Sequence, residues 1–283
     1  MEFQTCELRP GHSENGSAMG PALLILLAFL KSGTLNDQKR YELSSQLYGL
    51  KSVQSADALL YLSAIHFSRW QLTRAEAEVR EVLTIVDSQA SALRTAQALV
   101  LLGSILCERG ELARATPVVR RAIDLLERAK ARDEEILFAQ TNLAVIYQRQ
   151  GDYAKAREIL ERVILLQPDR GAPKAALAEV AMGQSHWNEA AELILLAKQL
   201  ITDRAGTAGI LRIEAQVRVH QGDLAGALDC LQASATIVQS VYGPATIIEI
   251  EVLQEAERLL RRLHRSSEAR QVRAKVRALG RNR

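Results

Sequence analysis

The chain has 283 residues, of which 48% are hydrophobic, enough to bury a sizeable core and to exclude disorder throughout. Lys and Arg number 36 against 33 Asp and Glu, and a balance of +3 predicts neither a nucleic-acid field nor a funnel for acidic substrates. Aromatics are only 4%, while Leu, Ala, Glu, Arg and Gln dominate; these residues lose least on entering a helix, so the composition points to an all-α fold.

Residues 1–20 mix Gly, Ser, Asn, Pro, Glu and His without periodicity and are expected to be disordered. Ala22–Leu30, ALLILLAFL, is the most apolar run. Nine helical residues span about 14 Å, whereas a bilayer core needs roughly 20 residues, so a transmembrane span is not expected. The run reads either as a buried first helix or as a signal or membrane-surface anchor. With Asn36–Leu50 it would form an N-terminal helical cap or degenerate repeat over residues 21–55.

The body of the chain repeats. In Leu137–Arg170, Leu143, Ala144 and Tyr147 share one helical face, Gly151-Asp152 interrupts it, Ala156, Leu160 and Val163 form a second face, and Pro168 stops it. The next 34 residues repeat this plan with Leu177, Ala178 and Ala181, a break at Ser185-His186, then Ala190, Ile194 and Ala197. A small residue followed twelve later by another recurs as Ser63 and Ala75, Gly103 and Ala115, Ala144 and Ala156, Ala178 and Ala190, Ala215 and Ala227. Antiparallel helices approach closely only where facing side chains are small, and one such pair alone buries too little to offset its backbone entropy. The pairs must therefore stack.

This pattern resembles the tetratricopeptide repeat, a pair of antiparallel helices with small and large residues at these offsets. The resemblance implies a right-handed α-solenoid. Repeats are expected at about 56–89, 96–129, 137–170, 171–204 and 208–241 within 56–249, followed by a degenerate repeat and basic capping helix at 250–283. Successive second-helix alanines from Ala75 to Ala269 lie 40, 41, 34, 37 and 42 apart, and the extra residues could lengthen helices or loops. This longer style is similar to the repeats of kinesin light chains, with Tyr242-Gly243-Pro244 a partial echo of their connecting loop. Pro117 is expected to remove a backbone bond and bend the rod, and His66, Glu214 and Arg218 stand where the pattern has apolar residues.

No phosphate loop, HExxH, CxxC, nucleophile elbow or dinucleotide fingerprint is present, so a non-enzymatic protein without cofactor or metal is expected. Cys6, Cys107 and Cys230 are far apart and odd in number, which fits neither a disulfide framework nor a Cys-rich zinc site and suits a reducing, cytoplasmic setting.

The resemblance implies that first helices line a concave groove that holds a peptide or helix of a partner. The inward stripe would be Leu60, Ala64 and Phe67; Val100, Ser104 and Cys107; Thr141, Val145 and Gln148; Ala175, Glu179 and Met182; Arg212, Gln216 and Val219; and Gln254, Arg258 and Arg261. Relatives that clamp a C-terminal carboxylate use Lys and Asn here, whereas these slots are mainly apolar or small. The stripe grades from apolar to basic, which would suit an amphipathic partner segment with an acidic end. Residues 250–283 carry ten Lys or Arg against four Glu, a local balance of +6. The sequence therefore suggests a protein-interaction scaffold, or alternatively the regulatory or sensory arm of a signalling or transcription system whose basic end meets nucleic acid or an anionic surface. With only this end strongly basic and no spanning segment expected, nucleic acid and membrane are the less favoured partners.

Overall fold

The computed structural model describes residues 37–68, 71–88, 91–243 and 246–281, and these contain thirteen α-helices and no strand. Helix α1 (Asp37–Tyr48) stands first. Six antiparallel pairs follow: α2 (Val53–Ser68) with α3 (Leu72–Ser88), α4 (Ala92–Glu108) with α5 (Leu112–Arg128), α6 (Asp133–Arg149) with α7 (Tyr153–Leu166), α8 (Gly171–Gly183) with α9 (Trp187–Leu200), α10 (Arg204–His220) with α11 (Leu224–Tyr242), and α12 (Ile247–Arg262) with α13 (Ser266–Arg281). The segments 1–20 and Ala22–Leu30, including the expected first cap helix, lie outside the described residues.

Each helix packs on the one before and the one after, which stacks the pairs into a solenoid. Within a pair the small residues meet as their spacing demands. Ser63, Ala75, Ala144, Ala156, Ala178 and Ala190 are fully buried, and at Gly103 an added Cβ would fall 2.2 Å from Val119 Cγ2. The Ser63 hydroxyl donates to the Leu59 carbonyl at 2.7 Å, so it leaves no unpaired group in the seam. One apolar cluster runs from Ala56 through the first three pairs to Val180; a smaller one around Ala178, Ala190, Ile194, Ile210 and Val217 follows, then a third from Ala215 to Ala269.

The turn inside the second to the sixth pair follows from one backbone position. Gly110, Gly151 and Gly222 have φ of +77°, +80° and +85°, and each is followed by an acidic residue that starts the next helix. Asp152 and Asp223 accept from the backbone N–H of Lys155 and Gly226, capping α7 and α11. The fourth and sixth pairs place Ser185 (φ +63°) and His264 (φ +59°) at the equivalent position, a conformation that disfavours a Cβ.

The extra residues between units go mainly into helices. α4, α5, α6 and α10 have 17 residues each, whereas α8 and α9, in the unit with the shortest spacing, have 13 and 14. Pro117 does not interrupt α5, which runs unbroken from Leu112 to Arg128 with the ring on its exposed side. The polar departures are absorbed by pairing: His66 Nδ1 lies 2.7 Å from Glu78, and Glu214 takes hydrogen bonds from Lys198 and Arg218. Burial alone would raise the Glu214 pKa, but these two cations hold it below the ordinary carboxylate value.

Candidate protein-interaction surface

Successive first helices (α2, α4, α6, α8, α10) approach one another directly, while second helices mainly meet first helices, so the first helices form the inner face of the stack. Polar contacts cross that face from pair to pair. Arg94 on α4 reaches Asp57 on α2 at 2.7 and 3.0 Å, Ser104 on α4 donates to Asn142 on α6 at 3.2 Å, and Arg149 on α6 donates to Glu108 on α4 at 2.8 and 2.5 Å. Further along, Arg212 on α10 donates to Glu255 on α12 at 2.6 and 3.0 Å and lies 3.1 Å from Glu251. Burial works against the charge of Arg149 and Arg212, yet their glutamate partners raise both guanidinium pKa values above the ordinary arginine value.

The residues expected to line a groove divide into three groups. Val100 and Cys107 are buried and belong to the core, and burial pushes the Cys107 thiol up, away from reactivity. Leu60 and Phe67 are half-buried against the same core, and Met182 packs on the smaller central cluster. Ser104, Thr141, Val145, Gln148 and Glu179 are half-buried along the inner face, with the Thr141 hydroxyl returned to the Leu137 carbonyl at 2.8 Å. Gln216, Arg258 and Arg261 are exposed.

The expected basic end is altered by these contacts. Arg212 is held by two glutamates of the neighbouring pair, and Arg261 donates to Glu257 at 2.5 Å. Of the basic helix α13, Arg273 pairs with Glu257 and Lys275 lies 3.0 Å from the fully buried Glu249. The +6 of the last 34 residues already counts Glu257, and Glu249, just ahead of them, takes up one further cation.

Two aromatic residues of the inner face were missed by the i, i+4, i+7 stripe. Phe138 is 64% exposed and Tyr61 51% exposed. Phe138 shares its face with Asn142, whose side chain donates back to the Phe138 carbonyl and meets Ser104 of α4; Tyr61 lies one turn after Asp57, the partner of Arg94. An aromatic at a polar face of an otherwise aromatic-poor chain is the signal that could have found them. Two recesses lie elsewhere: one of about 390 Å³ at the turn Ser185–Glu189, beside the stacked rings of Trp187 and His220, and one of about 460 Å³ lined by Arg120, Asp124, Gln140, Glu158 and Arg162. Among the described residues no three His, Cys, Asp or Glu side chains converge to hold a metal ion, and no helix is long and apolar enough to cross a membrane.

Residues 94–168, spanning α4 to α7, match the tetratricopeptide repeat family model. No curated protein matches the chain by sequence. Among solved structures, the APC/C hetero-tetramer Cut9-Hcn1 is similar over 92% of this chain and 46% of that one, with a TM-score of 0.62 at 17% identity. BtubC (BKLC) of P. vanneervenii is similar over 77% of this chain and 92% of that one, with a TM-score of 0.53 at 14% identity. A kinesin light chain-like repeat protein of Podosopora anserina is 21% identical over 65% of this chain and 94% of that one, with a TM-score of 0.46. Residues 94–168 are thus tetratricopeptide repeats by sequence, and the described residues as a whole fold as an α-solenoid of stacked helix pairs. That fold commonly serves as a non-catalytic scaffold for protein interaction.

Proposed function

We propose that this protein is a non-enzymatic scaffold that binds an extended or helical segment of a partner protein along the inner face of the solenoid. The observation that carries the reading is the open inner face itself: exposed Phe138 shares α6 with half-buried Thr141, Val145 and Gln148, half-buried Glu179 follows on α8, and exposed Tyr61 lies on α2. Large apolar rings held in water on a preformed face are the anchors of interfaces, and a face folded before the partner arrives spends little entropy on docking. The free, buried thiols Cys107 and Cys230 fit a reducing, cytoplasmic setting.

The alternative of a regulatory arm whose basic end meets nucleic acid is less well supported. Contact with phosphates needs unpaired cations, and several of those in the last pair are committed to Glu249 and Glu257.

Cross-linking mass spectrometry on partners captured by the full chain tests the reading. Cross-links are expected on α4, α6 and α8, and F138R should remove the partner while L165R, on the 81%-exposed Leu165 of the outer helix α7, should retain it. Loss with L165R and retention with F138R would overturn the inner face as the docking surface.

A further inference from the structure

Across the inner face the charges alternate in sign from one first helix to the next: Glu108 on α4, Arg149 on α6, Glu179 on α8, Arg212 on α10, then Glu251 and Glu255 on α12. Both arginines turn away from the centre of this series. Arg149 makes its two bonds to Glu108, and Arg212 makes its bonds to Glu255 and Glu251. Glu179, between them, has no hydrogen bond or ion pair among the described residues. With both guanidinium groups taken up by other carboxylates, Glu179 is left between them without a bonded cation.

The surroundings of Glu179 make its isolation costly. The side chain is half-buried, and desolvation raises its pKa although Arg149 and Arg212 pull in the opposite direction. On this side α8 carries Ala172, Ala175 and Ala176 ahead of it and Met182 after it, so its own helix offers the carboxylate no polar partner. A partly dehydrated carboxylate without a close counter-charge gains most from a cation that arrives with a bound segment, because a charge-assisted hydrogen bond strengthens as water is excluded.

We propose that Glu179 receives one Lys or Arg side chain from the partner segment, making the centre of the inner face selective for a cation-bearing sequence. The partner is thus a protein segment with a fixed basic residue flanked by apolar ones, the latter suited to exposed Phe138 on the adjacent first helix. The proposal rests on the inner face being the docking surface.

The test is selection of a random twelve-residue peptide library on the full chain, followed by fluorescence anisotropy with the enriched peptides. Enriched sequences should share a Lys or Arg at one position, E179Q should weaken their binding about tenfold or more, and E179K should redirect selection to Asp or Glu at that position. Circular dichroism melting of each variant separates lost binding from lost fold. Enriched peptides without a shared cation, an E179Q chain that binds them as tightly as the native one, or no enriched peptide at all would overturn the proposal. If F138R abolishes binding while E179Q leaves it intact, the inner face stands and the cation seat falls; if only L165R abolishes it, both fall.

Discussion

The second helix pair (92–128) and the fourth (171–200) follow one plan but are filled differently. The second has two helices of 17 residues and buries Leu99, Leu102, Ile105, Leu106, Val119, Ile123 and Leu126 around Gly103. The fourth has helices of 13 and 14 residues and buries Leu177, Val180 and Ile194 among Ala178, Ala181, Ala190 and Ala197. Alanine removes little apolar area from water, at about 25 cal/mol per Å², so the fourth pair has less to hold it than its neighbours. In a solenoid, where each unit is stabilised only by adjacent ones, the apolar core narrows here from the large amino-terminal cluster to a small one. The shortest unit, the smallest side chains and the unpaired Glu179 coincide.

The largest effect should come from the filled pair. Leu106→Ala removes a side chain that is 1% exposed and should cost about 3–5 kcal/mol, read by urea denaturation. Equal or smaller loss than for Ile194→Ala, expected nearer 2 kcal/mol at 4% exposure, would break the contrast between the pairs. Overfilling comes next. Ala178→Leu forces a large side chain into the closed seam against α9 and should cost about 1–3 kcal/mol; an unchanged melting temperature would refute the small-residue packing.

A smaller effect of opposite sign is expected at the turn of the fourth pair. Ser185 holds φ +63° where the second and third pairs use glycine, so Ser185→Gly should stabilise by about 1 kcal/mol in chemical denaturation. The smallest effects should appear as pH dependence, and two inner carboxylates give opposite signs. The Glu214 pKa is lowered on folding despite burial, through Lys198 and Arg218; its stabilisation is present above the unfolded value and lost as pH falls through the folded one. For Glu179 desolvation raises the pKa, so folding is disfavoured at neutral pH and the penalty fades as pH falls through the raised value. Glu179→Gln should therefore raise the melting temperature at pH 7 and have less effect near pH 4, whereas Glu214→Gln should lower it at pH 7.

The repeat is legible because its cause is local. Two antiparallel helices need small residues where they touch, and a twelve-residue offset between those residues survives in the sequence at five places. The turn was equally readable, since Gly151-Asp152 ends one helix and caps the next through bonds only a few residues long. The inner face was read less well. A stripe at i, i+4, i+7 selects a side of a helix, but how far the neighbouring pair covers that side is decided across about forty residues, and Val100 and Cys107 were covered while Phe138 and Tyr61 were not.

From the amino-acid sequence alone came the helical class, the pairing of helices, the stacking of pairs and the absence of known catalytic motifs, because each depends on residue type and short spacing. The tertiary structure decided which charges are available. Arg212 read as the start of a basic groove, yet Glu251 and Glu255, some forty positions later, take its hydrogen bonds, while Arg149 turns to Glu108 and leaves Glu179 without a close partner. Charge pairing depends on distances of a few ångströms between helices far apart in the chain, and such distances exist only once the pairs are stacked.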